Sequence, residues 1–148
     1  MKIAVGSDHG GFALKEAVKK HLEAKGIEVE DFGCYSTDSV DYAVYGAKVA
    51  HCVADGKADY GILVCSTGIG ISMAANKVKG IRAALCSDTH AAEMTRRHNN
   101  ANILCLGGLV TEEKTALEIV DTFLKFDFEG GRHQRRIDQI ADIENGRL

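Results

Sequence analysis

The sequence predicts an α/β domain built on a doubly wound, five-stranded parallel sheet, with helices on both faces and a C-terminal helical tail. Short, continuously apolar segments alternate with amphipathic segments along the whole chain. Continuous apolar strands are typical of a parallel sheet that is covered on both faces. The length of 148 residues fits one domain, and no repeat or linker divides it. We therefore expect a single domain over residues 1–148, with the tail, residues 130–148, packing on a partner subunit.

Five segments have the pattern of strands. Four of them are mainly apolar, whereas the second alternates acidic and apolar residues. This alternation predicts a strand with one face in water, near an edge of the sheet. The predicted strands are residues 3–5, 27–32, 60–65, 81–86 and 102–106.

Amphipathic segments between these strands predict helices. In the first helix, Leu14, Val18 and Leu22 recur at four-residue spacing on one face, and Gly26 ends it. The second helix is expected to turn its small residues toward the core: Ala43, Ala47, Ala50 and Ala54. The predicted helices are residues 12–25, 42–54, 71–78, 89–98 and 111–125, with a last one around residues 137–141.

Composition excludes several classes of protein. The net charge of −3 gives none of the basic excess that nucleic-acid binding requires. No apolar run approaches the ~18 residues of a membrane helix, and the start of the chain turns polar too quickly for a signal peptide. The five cysteines are odd in number and form no CxxC pair, which disfavours a structural zinc site and fits a reducing cytoplasm. Four of them are expected to be small buried residues: Cys34, Cys52, Cys86 and Cys105.

Two glycine-rich loops follow predicted strands, at residues 7–11 and 65–70. Ligands of open α/β sheets bind outside the carboxyl ends of the strands. The second loop opens a helix, so its backbone N–H groups predict a site for a small anion, although a tight strand-to-helix turn explains the glycines equally. The loop lacks the lysine of a nucleoside-triphosphate loop and the third glycine of a dinucleotide fingerprint.

Several side chains near these loops are candidates for chemistry. Cys65 enters the second loop, where a helix N-terminus favours the thiolate form, so it is either a nucleophile or base or another buried cysteine. Asp8 and His9 follow the first strand and can bind or orient an anion, although Asp8 can equally cap a helix.

Further candidates lie outside the loops. His98 ends the fourth helix, where the helix dipole alone explains a histidine, and Asn99 follows it. Arg132 and Arg136 share a face of a helical tail and suit a phosphate, although a solvated basic surface is the alternative. No set of His, Asp and Glu residues has metal-ligand spacing, so no metal site is predicted.

In order and spacing, these segments resemble the type B ribose-5-phosphate isomerase family, which includes the galactose-6-phosphate isomerase subunits. The resemblance covers nearly the whole chain. It rests on stretches of sequence at residues 6–12, 41–42, 65–72, 74–77, 80–83, 97–99 and 129–133.

The resemblance implies Rossmann-like subunits in a homodimer or tetramer that needs no metal or cofactor. It further implies isomerisation of ribose 5-phosphate and ribulose 5-phosphate through an enediolate, with Cys65 as the base. The loop that would stabilise the enediolate comprises Ser66, Thr67, Gly68, Ile69 and Gly70. By the same resemblance, Thr67 and His98 assist ring opening and Tyr42 lines the site. The resemblance also implies that Asp8 and Asn99 contact sugar hydroxyls. It implies that the phosphate is held by His9, Arg132 and Arg136.

Two positions bear on the branch of the family and its substrate. Some members carry a glutamate base where Ile71 stands here, so this chain resembles the cysteine branch. Relatives often have an arginine where Leu109 follows the fifth strand, and its loss implies weaker phosphate binding and looser sugar selection. The alternatives are a hexose-phosphate isomerase, acting on allose 6-phosphate or galactose 6-phosphate, and a non-catalytic nucleotide-binding module.

Topology makes one prediction about assembly. Cys65 ends a strand, whereas His98 and Asn99 end a helix that runs back antiparallel to the strands. A strand of five residues is about 17 Å long, which a histidine side chain cannot span. If all three residues serve one sugar, His98 and Asn99 must come from a second copy of the chain.

Overall fold

The computed structural model describes all residues, 1–148. It contains five strands and six helices. The strands are β1 (Lys2–Ser7), β2 (Glu28–Asp31), β3 (Tyr60–Cys65), β4 (Ala83–Leu85) and β5 (Ile103–Gly107). The helices are α1 (Phe12–Ala24), α2 (Tyr42–Ala54), α3 (Ile69–Ala75), α4 (Thr89–Asn99), α5 (Glu113–Lys125) and α6 (Arg132–Glu144).

The five strands form one parallel sheet in the order β2-β1-β3-β5-β4. The predicted α/β class with a five-stranded parallel sheet is confirmed, and β2 lies at an edge as its alternating pattern predicts. From β1 the chain moves outward to β2 and then returns past β1 to β3. The carboxyl ends of β1 and β3 therefore flank the point where the direction of winding changes, which is where ligands bind in such sheets.

Two apolar cores cover the two faces of the sheet. One core packs α1, α4 and α5 against the sheet and includes Leu14, Val18 and Leu22, the face predicted for α1. The other packs α2 and α3 against the opposite face. The result is the three-layer sandwich expected from continuously apolar strands.

The details of two helices differ from the predictions. Helix α3 begins two residues early, because Gly68 takes the left-handed conformation (φ +78°) that lets the chain turn directly into the helix. The predicted inward face of α2 is wrong at Ala43 and Ala54, which are exposed. Its buried face runs from Gly46 to Val53, and a Cβ atom on Gly46 would lie 3.1 Å from a side-chain carbon of Ile71 in α3.

The C-terminal tail forms α6 and packs on its own chain beside α4. Ile137 is buried in this contact, and the Glu144 carboxylate accepts a hydrogen bond from the Gly80 N–H at 3.0 Å. No helix of the chain is both long and apolar enough to cross a bilayer.

Candidate active site

Three loops meet at the carboxyl edge of the sheet, after β1, β3 and β5, and they pack with almost no space between their backbones. A Cβ atom on Gly11 would lie 2.9 Å from the backbone nitrogen of Cys65. A Cβ atom on Gly108 would lie 2.8 Å from the carbonyl oxygen of Gly10. Glycine is therefore required at these contacts, which fix the two glycine-rich loops against each other.

Cys65 is the last residue of β3 and only 5% exposed. Its Sγ accepts a hydrogen bond from the backbone N–H of Gly68 at 3.1 Å. Such a bond stabilises a thiolate more than a thiol. Burial raises the pKa of the Cys86 thiol to about 11 and also raises the pKa of the Cys105 thiol.

All five cysteines are free and buried, as predicted for the four structural ones. Cys65 is as buried as the rest, so burial alone does not distinguish it. The distinction lies in its hydrogen bond and in its place at the end of a central strand.

The loop after Cys65 presents unpaired backbone donors. The N–H groups of Ser66, Thr67 and Gly70 have no acceptor within the chain, whereas the N–H of Ile69 donates to the Thr67 hydroxyl at 3.3 Å. These three amides, in the loop that directly follows the thiol, are free to donate hydrogen bonds to an anionic oxygen. The loop is thus more than the tight turn that the glycines alone would explain.

Asp8 and His9 lie on the neighbouring loop. The Asp8 carboxylate is buried and accepts the Gly11 N–H at 3.1 Å, so the capping role considered for it is present. The Nδ1 atom of His9 accepts the Val40 N–H at 3.2 Å. A neutral His9 therefore carries its proton on Nε2, which makes that atom a hydrogen-bond donor.

Two further predicted residues border this loop cluster. The Tyr42 ring lies against Gly70, where a Cβ atom would come within 2.7 Å of it. Leu109 donates its backbone N–H to the Ser66 carbonyl at 3.0 Å, and its side chain is 76% exposed. The position where relatives often carry arginine therefore lies at the rim of this site and holds no charge here.

The other predicted residues lie at the opposite, amino edge of the sheet. The carbonyl oxygen of Asn99 accepts a bond at 3.0 Å from Arg82, the residue before β4. Arg96 on the same helix reaches the hydroxyl of Tyr60, the first residue of β3, at 3.0 Å. His98 and Asn99 are thus separated from Cys65 by the length of β3, and within one chain they do not meet it.

The amino edge also gathers residues that the sequence interpretation missed. The imidazole rings of His98 and His133 stack with centroids 4.2 Å apart. Glu129 contacts both rings, with its Oε1 atom 3.7 Å from Nε2 of His98 and 3.6 Å from Nε2 of His133. Arg132 and Arg136 are exposed on α6, which begins beside this cluster.

No sequence signal links His98 to the other two residues, because thirty residues lie between it and Glu129. The four-residue spacing of Glu129 and His133 is visible, but one Glu and one His at this spacing do not by themselves make up a metal or catalytic motif. Only the packing of α6 on α4 brings the three together.

Together, the doubly wound sheet, the thiol at its carboxyl edge and the free amides around it define an α/β protein with a site for a small anionic substrate. A family model described as Ribose/Galactose Isomerase matches residues 3–140. The chain therefore belongs to this isomerase family, as the resemblance in its sequence indicates.

Individual members of this family are similar to the chain over nearly its whole length. Ribose-5-phosphate isomerase B of Escherichia coli K12 is 48% identical over 146 residues, covering 99% of this chain and 98% of that protein. The structure of ribose-5-phosphate isomerase B from Clostridium thermocellum superposes with a TM-score of 0.98 at 52% identity, covering 100% of both chains. The enzyme of Mycoplasma genitalium with bound ribulose-5-phosphate superposes with a TM-score of 0.93 at 45% identity, covering 97% of this chain and 96% of that one.

Proposed function

We propose that this chain interconverts ribose 5-phosphate and ribulose 5-phosphate by moving a proton between C2 and C1 of the sugar. The observation that carries the proposal is the Cys65 thiol at the end of β3, hydrogen-bonded to the Gly68 N–H and beside three free loop amides. The same substrate class is supported by the relative from Mycoplasma genitalium, whose structure contains ribulose-5-phosphate.

In this mechanism Cys65 is the base. Its thiolate removes the proton from C2 of the open-chain aldose, which leaves an enediolate with its negative charge on O1. A proton then passes from the O2 hydroxyl to O1, and the Cys65 thiol returns its proton to C1, which gives the ketose and restores the thiolate. The negative charge that develops on the substrate oxygen is stabilised by the free N–H groups of Ser66, Thr67 and Gly70. Those amides supply the stabilisation that a metal ion would otherwise give, so the reaction needs no metal or cofactor.

Residues around Cys65 bind the phosphate and the sugar hydroxyls in this proposal. His9, with its proton on Nε2, donates to the phosphate. Asp8 contacts a sugar hydroxyl while it caps the turn, since an ionised carboxylate accepts more than one hydrogen bond. Tyr42 and Ile69 border the sugar.

The remaining residues come from a second copy of the chain in a homodimer, or in a tetramer of such dimers. His98 opens the sugar ring with Thr67, Asn99 contacts a hydroxyl, and Arg132 and Arg136 hold the phosphate. Within one chain these residues lie at the wrong edge of the sheet. An exposed apolar surface around α3 is the face that the second copy covers. It comprises Tyr42, Ile69, Met73 and Leu85.

The tail is part of the same assembly. On α6, Ile140 and Ile143 are exposed and line an open cleft between this helix and the α4 and β4 region of the same chain. We propose that the partner subunit covers these two side chains. The phosphate that this helix contacts is then that of the sugar bound by the partner subunit. The five free cysteines fit function in a reducing cytoplasm.

The direct test is a panel of five- and six-carbon aldose phosphates, assayed with protein stripped of metal. Ribose 5-phosphate should be the best substrate. Because Leu109 leaves the rim of the site neutral and open, slower turnover of allose 6-phosphate is also expected. A chain that binds a nucleotide tightly and isomerises none of these sugars would contradict the proposal.

A further inference from the structure

His98, Glu129 and His133 gather three potential metal ligands at the amino edge of the sheet. Two ring nitrogens and one carboxylate oxygen lie within 4.8 Å of one another. They come from three different segments: the end of α4, the loop before α6, and the first turn of α6. A set of two histidines and one glutamate is a known zinc-binding combination.

Glu129 is held in place for such a role. Its Oε2 atom accepts a hydrogen bond from Arg97 at 2.6 Å, and its backbone N–H donates to the Arg97 carbonyl at 3.0 Å. This leaves Oε1 facing both imidazoles. The Arg97 hydrogen bond also holds the pKa of the Glu129 carboxyl below its usual value, so it is ionised near neutral pH.

The distances are close to those of a zinc site. Four ligands at the ~2.1 Å bond length of zinc are about 3.4 Å apart in a tetrahedron. The two contacts of Glu129 Oε1 to the histidine nitrogens, 3.7 and 3.6 Å, need only a small contraction. The two rings are stacked, with planes 10° apart, so both must turn to aim at one ion. The torsion involved, χ2 of histidine, has a broad energy minimum.

The positive charges around the cluster oppose the binding of a cation. Burial, His98 and the guanidinium groups of Arg132 and Arg136 hold the pKa of His133 below its usual value, with Glu129 acting in the opposite sense. The arginines also repel a cation, so we expect binding weaker than that of a structural zinc site.

We propose that His98, Glu129 and His133 form a zinc-binding site, and that zinc bound there inhibits the enzyme. The inhibition rests on the proposed function, in which His98 opens the sugar ring. When zinc binds Nε2 of His98, that nitrogen can neither donate nor accept the proton that ring opening requires. In the single chain, the side chains of His98 and Glu129 are each 37% exposed.

Zinc binding is measured by calorimetry on full-length Cys65→Ala protein, because the Cys65 thiolate is a competing zinc ligand. Glu129→Gln and His133→Gln should each weaken binding at least about tenfold. The matched control is His21→Gln, which removes another histidine that contacts a carboxylate, Asp121, at 2.7 Å. It should leave zinc binding unchanged. If His133→Gln does not fold, the exposed Glu129→Gln variant decides alone.

The second measurement is zinc inhibition of isomerase activity in protein that retains Cys65, with reversal by a chelator. Glu129→Gln should need at least about tenfold more zinc for the same fractional inhibition. Absence of zinc binding, or equal binding by Cys65→Ala protein with and without Glu129→Gln, would overturn the site. Zinc bound at the site without inhibition would overturn the inhibitory role. If metal-free protein has no isomerase activity but binds zinc through these residues, the proposed function fails and the site stands.

Discussion

Replacing Cys65 by alanine removes the proposed base and should abolish turnover while substrate still binds. A positioned general base contributes about 10²- to 10⁴-fold to rate. Its loss therefore raises the activation barrier by about 3–5 kcal/mol, at 1.36 kcal/mol for each factor of ten. Because the base acts in the chemical step, kcat should fall by this factor and substrate affinity should change little.

Unfolding cannot account for a loss of that size. Without Sγ, the Gly68 N–H loses its acceptor, which costs about 1–3 kcal/mol if the group stays dry. A domain of this kind is stable by about 5–15 kcal/mol, so the variant should remain folded. Cys105→Ala is the matched control: Cys105 is fully buried on the neighbouring strand β5, and its thiol has no role in the mechanism. Loss of its sulfur costs about 1 kcal/mol, and turnover should be nearly normal.

The assay follows ketose formation from ribose 5-phosphate, with proton exchange at C1 of the ketose in deuterated water as a second readout. The second readout reports the base alone, because it starts from an open-chain ketose and does not depend on ring opening. Cys65→Ala should lose both activities and Cys105→Ala should keep both. Near-normal turnover by folded Cys65→Ala protein would refute the assignment of the base.

Three more predictions follow from the site. Dialysis against a strong chelator should leave activity intact or raise it, since amides stabilise the enediolate; loss of activity that one divalent ion restores would overturn the mechanism. Leu109→Arg should strengthen phosphate-sugar binding by up to about 1.5–3 kcal/mol, more than it raises kcat, and unchanged affinity in a folded variant would mean that position 109 does not face the phosphate. A thiol-directed reagent at pH 8 should modify Cys65 before Cys86, because the pKa of about 11 keeps the Cys86 thiol protonated. Bound substrate should slow the modification of Cys65, and mass spectrometry that shows Cys86 modified first would contradict this prediction.

The class of fold is predictable here because strand and helix patterns are unambiguous. Residues 60–65 are continuously apolar and become the central strand β3, and the alternating residues 27–32 contain the edge strand β2. The order of the last two strands is not visible in the sequence. It depends on how α4 and α5 pack on the sheet, which no local pattern records.

The candidate site residues at the carboxyl edge of the sheet could be predicted, because each of them lies next to a strand in the sequence. Asp8, His9 and Cys65 each follow a strand directly, and parallel strands bring their carboxyl ends together. The sequence does not show that the amides of Ser66, Thr67 and Gly70 are free. This depends on the turn at Gly68 and on which backbone carbonyls already accept hydrogen bonds from nearby residues.

The candidate site residues at the amino edge of the sheet depend on tertiary packing. The expectation that His98 and Asn99 lie at the amino edge needed only the antiparallel direction of α4, and the contacts of Asn99 with Arg82 agree with it. The pairing of His98 with His133 was missed, because it results from the docking of α6, whose position the sequence does not indicate.

The central claim is that two groups of residues, separated within one chain, meet in an active site shared between two chains. It is tested most directly by mixing inactive Cys65→Ala protein with inactive His98→Ala protein under conditions that allow subunits to exchange. Half of the dimers formed at random from equal amounts are mixed, and each mixed dimer has one intact site and one doubly damaged site. The account predicts recovery of about a quarter of wild-type activity. If exchange is confirmed and no activity returns, each site is built from one chain and the account is wrong.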